Sequence, residues 1–188
     1  MDGYHIALYV HLLALVGAAS ASTLVHFAEH RRGRSATVAE ALQWHRLIGV
    51  TSRTFPIVIV ILLGTGSYMV TSAGNALWAA AWVKAGVTGA ILLFVAGGYM
   101  GARGKRMARA LAQIAQSDPS ATEFPKDDAV SHALGGMNTG LAIGVVGAMA
   151  MKPEMVGSFA LLAAMALLGV LVSARGSHAS EPVGELAD

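Results

Sequence analysis

Five long apolar runs dominate this chain and constrain its fold more than any other feature. The runs cover about residues 4–27, 49–71, 77–101, 129–151 and 155–174, and none of them contains Asp or Glu. A transmembrane helix needs about 20 predominantly apolar residues, because hydrocarbon offers no partner to an exposed backbone N–H or C=O. Only 13% of the residues are charged, against roughly 25% in average soluble proteins. The sequence therefore predicts an all-α bundle of five transmembrane helices.

We expect the chain to form one domain. Residues 1–176 hold the five runs in a single transmembrane helical domain, and residues 177–188 are a small polar tail that we expect to be disordered. The sequence has no cysteine, which excludes disulfides, thiolate metal sites and iron–sulfur clusters. Redox or metal chemistry must therefore use histidine, methionine, a carboxylate or a cofactor.

The segments between the runs predict where helices extend and end. Thr37–Arg46 is amphipathic and is expected to lengthen the helix of the second run, in which Pro56 predicts a kink. Arg103–Gln116 is basic and amphipathic and is expected to continue the helix of the third run. Ser117–Asp128 is rich in turn-forming residues and predicts a loop. Lys152–Glu154, which contains a proline, separates the last two runs.

The basic residues predict the orientation of the bundle. All of the 13 Lys and Arg residues except Lys84 and Lys152 lie in or beside the first loop, the loop after the third run, or the C-terminal tail. Because cytoplasmic loops retain basic residues during insertion, the N-terminus is expected outside and the C-terminus in the cytoplasm. Such short basic loops are topology signals, so we expect no nucleic acid partner. The expected location is a bacterial cytoplasmic (inner) membrane.

Small residues recur at helical spacing inside the runs. Gly136, Gly140, Gly144 and Ala148 follow one another every four residues, and the third run carries Gly97 and Gly101. Such ridges allow close helix contact, which in lipid depends on van der Waals packing and not on the hydrophobic effect. The ridges predict packing within the bundle, or contacts with membrane partner subunits or a second copy of the chain.

His11 is the candidate functional residue that lies deepest in an apolar run. It is about two turns from the outer end of the first run, between Val10 and Leu12. A polar ring at that depth is costly without a partner and marks a functional site by default. Two interpretations remain open at this stage. The ring either binds a cofactor metal or is neutral and hydrogen-bonded to a neighbouring helix.

Further histidines follow on a similar face of the same helix. His26 lies fifteen residues after His11, which at 100° per residue brings it to within about 60° and about 22 Å along the axis. His30, His45 and His132 could join it on the cytoplasmic side. This arrangement would suit two stacked haems. The other interpretation is that these inner histidines simply lie at the water interface beside arginines.

No second buried histidine is available at the level of His11. The candidate sixth ligands of a haem there are Met69, Tyr68 and Lys84. Lys84 could instead neutralise a haem propionate, or extend its ammonium to the lipid headgroups. The nine methionines leave copper handling open as well, because thioethers bind Cu(I), although they are scattered.

Several of these segments resemble one superfamily of membrane proteins. His5–His11 and Leu24–His30 resemble the first helix of HemJ-type membrane protoporphyrinogen oxidases and of copper-resistance-D-like proteins. Arg53–Pro56 with Gly64–Gly66 resembles their second helix, and Trp82–Lys84 the start of their third.

One more segment and one departure refine the resemblance. Met149–Pro153 is similar to a related, uncharacterised family of predicted integral membrane proteins. The chain departs from the oxidases at Tyr99, where they tend to have a histidine. The resemblance implies that His11 is a haem-ligand histidine and that Lys84 is a functional lysine.

The resulting hypothesis is an integral membrane protein that binds haem b, either one haem or two with His26 as ligand of the second. It would act in electron transfer or in oxidation of a membrane-soluble substrate, as a haem-dependent oxidoreductase if it is an enzyme. Two alternatives stay open. The chain could be a cofactor-free accessory subunit of a larger membrane complex, or a copper-handling membrane protein.

Overall fold

The computed structural model describes residues 2–178, and within them every regular element is helical. The α-helices are α1 (Gly3–Gly33), α2 (Val38–Ser52), α3 (Thr54–Ala73), α4 (Ala81–Ser117), α5 (Ala129–Met151) and α6 (Met155–His178), and a short 3-10 helix covers Asn75–Ala79. The described residues contain five helical segments long and apolar enough to cross a membrane, with α2 and α3 counted as one of them. The predicted all-α fold with five such helices is confirmed. The orientation of the termini stays a prediction.

Helix α1 begins and ends at recognisable caps. The Asp2 carboxylate accepts a hydrogen bond from the backbone N–H of His5 at 3.1 Å, which satisfies one of the unpaired donors of the first turn. The last turn carries His30, Arg31 and Arg32, and the positive charges of the two arginines interact favourably with the C-terminal end of the helix dipole. The helix therefore runs six residues past the expected end of the apolar run at residue 27.

The second apolar run is divided between two helices. The single helix expected across Thr37–Arg46 and residues 49–71 ends at Ser52, and α3 starts at Thr54. Pro56 explains the break, because it has no N–H to bond the carbonyl of Ser52 and its ring collides with that carbonyl. The interruption is the single residue Arg53, whose φ of −66° and ψ of −17° remain right-handed helical, so α2 and α3 still form one continuous candidate span and the irregularity predicted at Pro56 is present just before it.

The third run also starts later than expected. Gly74 adopts a φ of 121°, which an L-residue with a side chain rarely adopts, and it separates α3 from the 3-10 helix. Leu77 and Trp78 therefore belong to the 3-10 helix, and α4 begins at Ala81 instead of residue 77. Helix α4 then continues unbroken for 37 residues, about 55 Å, so the expected continuation through Arg103–Gln116 is present.

The last two runs form a helical hairpin. Helix α5 covers the same residues as the expected fourth span, and Lys152 ends it with a left-handed φ of 49° just before Pro153. Helix α6 continues to His178, so residues 177 and 178 of the expected disordered tail are helical. The rest of that tail, 179–188, lies outside the described residues.

The glycine ridge of α5 holds this hairpin together. A Cβ added to Gly140 would overlap the carbonyl of Met165, and one added to Gly136 would overlap the carbonyl of Gly169. The two backbones are therefore in direct contact, as small-residue ridges permit in membrane helices. Since α6 covers this ridge, it is not free to bind a partner.

The helices pack as a pair and a trio. Helix α1 packs on α3, while α4, α5 and α6 form a second unit around Ala85, Leu141, Ala148 and Leu162. Helix α2 bridges the two units at one end of the bundle, where Val38 and Ala41 pack against Leu111 of α4. This arrangement places His11 of α1 beside α3, and it brings polar groups of α1, α2 and α4 together at the α2 end of the bundle.

Candidate functional site

His11 is held by the neighbouring helix α3. Its Nδ1 lies 2.9 Å from the hydroxyl oxygen of Thr65, and the imidazole is half-buried. The Thr65 hydroxyl donates its single proton to the carbonyl of Ile61 at 2.6 Å. Because that proton is already engaged, His11 Nδ1–H must be the donor of the pair. The neutral ring then carries its free lone pair on Nε2.

This geometry bears on both interpretations of His11. The hydrogen bond to Thr65 is the interhelical contact that a purely structural histidine would need. A metal-ligating histidine also donates its second ring N–H to an oxygen, which fixes the tautomer and the ring orientation. In this tautomer Nε2 is the ring nitrogen that carries the lone pair.

Helix α3 allows the His11 ring to lie close to its backbone. A Cβ added to Gly66 would be 3.5 Å from Cε1 of His11, an ordinary van der Waals contact. The ring therefore packs against the α3 backbone at Gly66, next to the threonine that accepts its proton. Thr65 and Gly66 form the part of the site that sequence analysis had assigned only to a family resemblance.

The candidate sixth ligands lie in different surroundings. Tyr68 is 49% exposed, and its hydroxyl lies against Gly3 of α1. Met69 is half-buried and lies one helical turn beyond Thr65. Lys84 is exposed and lines a pocket of about 240 Å³ together with side chains of α4 and Trp78 only. No described contact brings Lys84 to His11.

His26 uses both ring nitrogens in contacts with oxygen atoms. Its Nε2 lies 2.9 Å from the hydroxyl of Thr139 in α5, and its Nδ1 lies 3.3 Å from a carboxylate oxygen of Glu29. The Thr139 hydroxyl donates to the carbonyl of Gly135, so Nε2–H donates to Thr139. Ligation of a second haem by His26 would therefore require one of these contacts to break.

A buried polar cluster, which we call the Arg32 cluster, joins four segments of the chain. It consists of Arg32 of α1, His45 of α2, the carbonyl of Gly104 of α4, and Asp127 of the segment before α5. The Arg32 guanidinium donates to His45 Nδ1 at 3.0 Å, and His45 Nε2–H donates to Gly104 at 2.8 Å. Arg32 also forms an ion pair with Asp127. The side chains of Arg32 and His45 are buried.

The cluster holds His45 in its neutral form. Burial lowers the pKa of His45 below its ordinary value, and the neighbouring Arg32 charge lowers it further, although the Gly104 carbonyl opposes this. The neutral ring can accept from Arg32 and donate to Gly104 at the same time. The cluster was not predicted from the sequence, because Arg32 was interpreted there as a topology signal. The 3–4 spacing of Val38, Ala41 and His45 on the buried face of α2 was the available signal.

Neither a family model nor a curated protein nor a solved structure matches this chain. The resemblance to HemJ-type proteins stays a prediction based on the short segments given above. Among residues 2–178 there is also no group of three or more His, Asp or Glu side chains placed to hold a metal ion. The His11 geometry is therefore the observation that bears on function.

Proposed function

We propose that this chain is a membrane haem protein in which His11 Nε2 is an axial ligand of a b-type haem. The observation that carries the proposal is the His11–Thr65 hydrogen bond, which orients an imidazole between two apolar helices with its Nε2 lone pair available. Haem, when bound, would supply one-electron redox chemistry for electron transfer or for oxidation of a membrane-soluble substrate.

The residues of this chain would contribute ligation and exclusion of water. Thr65 would hold the His11 ring in one tautomer, and the α3 backbone at Gly66 would pack against the ring. Met69 stays a candidate sixth ligand beside Tyr68 and Lys84, and it is the half-buried one of the three. Lys84 would act as a counter-charge for a propionate only by extending its ammonium from its own pocket.

Optical absorption of the purified protein tests the proposal. The full chain, expressed with adequate haem and purified in mild detergent, should show a Soret band, and His11→Ala should abolish it. His132→Ala is the matched control, because it removes an exposed histidine of α5 and should leave the band unchanged. A colourless wild type, or an unaltered band in His11→Ala, would contradict haem ligation by His11.

A cofactor-free accessory subunit is a second candidate, and one observation favours it. Gly97 and Gly101 of α4 are four residues apart, and a Cβ added at either would meet no atom within 4 Å. A small-residue pair with open space beside it is suited to a helix of another membrane protein. This candidate predicts a colourless protein whose complex with that subunit dissociates in Gly97→Leu and persists in His11→Ala. Metal analysis of the same preparation would show whether the protein contains copper. Bound copper would distinguish a copper-handling protein from both a haem protein and a cofactor-free subunit.

A further inference from the structure

An apolar groove runs across α4, α5 and α6, apart from the His11 site. Its volume is about 550 Å³, and its lining includes Leu92 and Val95 of α4, Leu141 of α5, and Phe159 and Ala163 of α6. The only polar side chains in the lining are those of Thr88 and Tyr99. All lining residues belong to these three helices, so the groove belongs to the trio and not to the α1–α3 pair.

One end of the groove is marked by a cationic group. The Arg103 guanidinium lies 5.9 Å from the centre of the Tyr99 ring and 3.4 Å from its hydroxyl. Arg103 also forms an ion pair with Asp128, which takes up part of its charge. Arg106, one turn further along α4, is exposed and has no ion pair among the described residues.

The groove and the cations lie on one stripe of α4. Thr88, Leu92, Val95, Tyr99, Arg103 and Arg106 follow one another at intervals of three or four residues. Residues so spaced share a helix face. The apolar part, from Thr88 to Tyr99, is about 17 Å long at 1.5 Å per residue. That length matches one leaflet of a hydrocarbon core about 30 Å thick.

We propose that this groove binds one acyl chain of an anionic phospholipid, with the headgroup phosphate at Arg103 and Arg106. The occupant must be apolar over the depth of a leaflet and negatively charged at the membrane surface. An anionic phospholipid meets both conditions, and basic sites between membrane helices are suited to such headgroups. A zwitterionic lipid offers the same chain without the net negative charge.

Other occupants fit the groove less well. The last ten residues of the sequence, 179–188, contain acidic side chains but only Val183 and Leu186 as large apolar ones, too few to fill the groove. A second copy of the chain would have to present anionic groups opposite two arginines, whereas Asp128 already pairs with Arg103 and Asp127 already pairs with Arg32.

Native mass spectrometry of the full chain in mild detergent tests the proposal. With equal amounts of phosphatidylglycerol and phosphatidylcholine, the protein should retain phosphatidylglycerol preferentially. Arg106→Gln should weaken that retention about fivefold. Lys105→Gln is the matched control, since it removes an equal charge from an exposed position about 100° around α4 from Arg106.

A second pair of variants tests the groove itself. Ala163→Phe fills the groove and should reduce retention of phosphatidylglycerol. Ala164→Phe adds the same bulk to the neighbouring exposed residue, which does not line the groove, and should leave retention unchanged.

Three outcomes would overturn the proposal. They are equal retention of both lipids by the wild-type chain, retention unaffected by Ala163→Phe, and a dimer peak that replaces the lipid-bound monomer. Wild-type competition between the two lipids remains decisive even if a variant fails to fold. A Soret band that persists in Ala163→Phe would show that this lipid site is independent of haem binding.

Discussion

At the scale of single residues, the hydrogen bonds of two histidines determine what each can do. His11 donates from Nδ1 to a threonine and keeps Nε2 available, whereas His45 engages both nitrogens within the Arg32 cluster. The sequence indicated that His11 is a candidate functional residue, because a polar ring in an apolar run is costly. It could not indicate Thr65 as the partner, because that pairing depends on how α1 and α3 rotate against each other.

Thr65→Val should weaken haem binding while preserving the shape of the side chain. Valine cannot accept the proton of His11 Nδ1, so the ring loses its fixed orientation and part of its basicity. Loss of such a supporting contact typically costs about 10–100-fold in affinity, which a haem titration followed at the Soret band would measure. Thr71→Val, at an exposed position of the same helix, is the control. Equal affinities in all three proteins would show that Thr65 does not support a ligand.

The thermal stability of the protein in detergent should fall as the pH drops below about 6.5. The pKa of His45 is lowered in the folded protein, so below that pH the unfolded chain gains a proton that the folded chain does not. Folding therefore loses stability between the ordinary pKa and the lowered one, and the full contribution is present only above that window.

Melting temperatures between about pH 7.5 and pH 5.5 measure this effect. His45→Gln should be less stable at neutral pH and should show a flatter pH dependence, because glutamine does not titrate. The control His132→Gln alters an exposed histidine and should follow the wild type. A wild-type slope that persists in His45→Gln would assign the titration to another group.

At the scale of helices, local chemistry predicted where some of them end but not all. The bounds of α5 follow from Asp128, which caps its first turn, and from the Lys152–Pro153 break. The start of the third run was placed less well, because hydropathy alone does not register the positive φ of Gly74. An apolar sequence can be helical, 3-10 or irregular while its average hydropathy stays the same.

Gly140→Leu should destabilise the α5–α6 hairpin strongly. The new side chain would collide with the backbone of α6 at Met165, and overpacking of this kind costs typically 1–3 kcal/mol or more. A lower melting temperature and lower yield in detergent would report it. Gly98→Leu on α4 faces open space and should be tolerated. Similar melting temperatures for both variants would contradict the direct backbone contact.

At the scale of the whole molecule, the part of the chain that the structure describes has five apolar helical segments, an odd number of predicted membrane crossings. Five crossings would place the two ends of this part on opposite sides of the membrane, and the distribution of Lys and Arg predicts which side is which. The pairing of α1 with α3 and the grouping of α4, α5 and α6 were not predictable from the runs. Most apolar helices offer several faces of similar hydrophobicity, so the contacts that select one face become visible only in three dimensions.

Cysteine labelling can establish the orientation, since the natural sequence has no cysteine. Ser120→Cys in the segment between α4 and α5 should react with a membrane-impermeant maleimide only after the cells are opened. Asn75→Cys in the 3-10 helix should react in intact cells. Both positions are exposed, so access to reagent depends on the side of the membrane. The reversed pattern would invert the predicted topology.

The amount of haem bound per chain tests the central claim most directly. We expect one haem per chain in the purified wild-type protein and in His26→Ala, and no haem in His11→Ala. A wild-type protein without haem, or a His11→Ala variant that keeps it, would contradict the account.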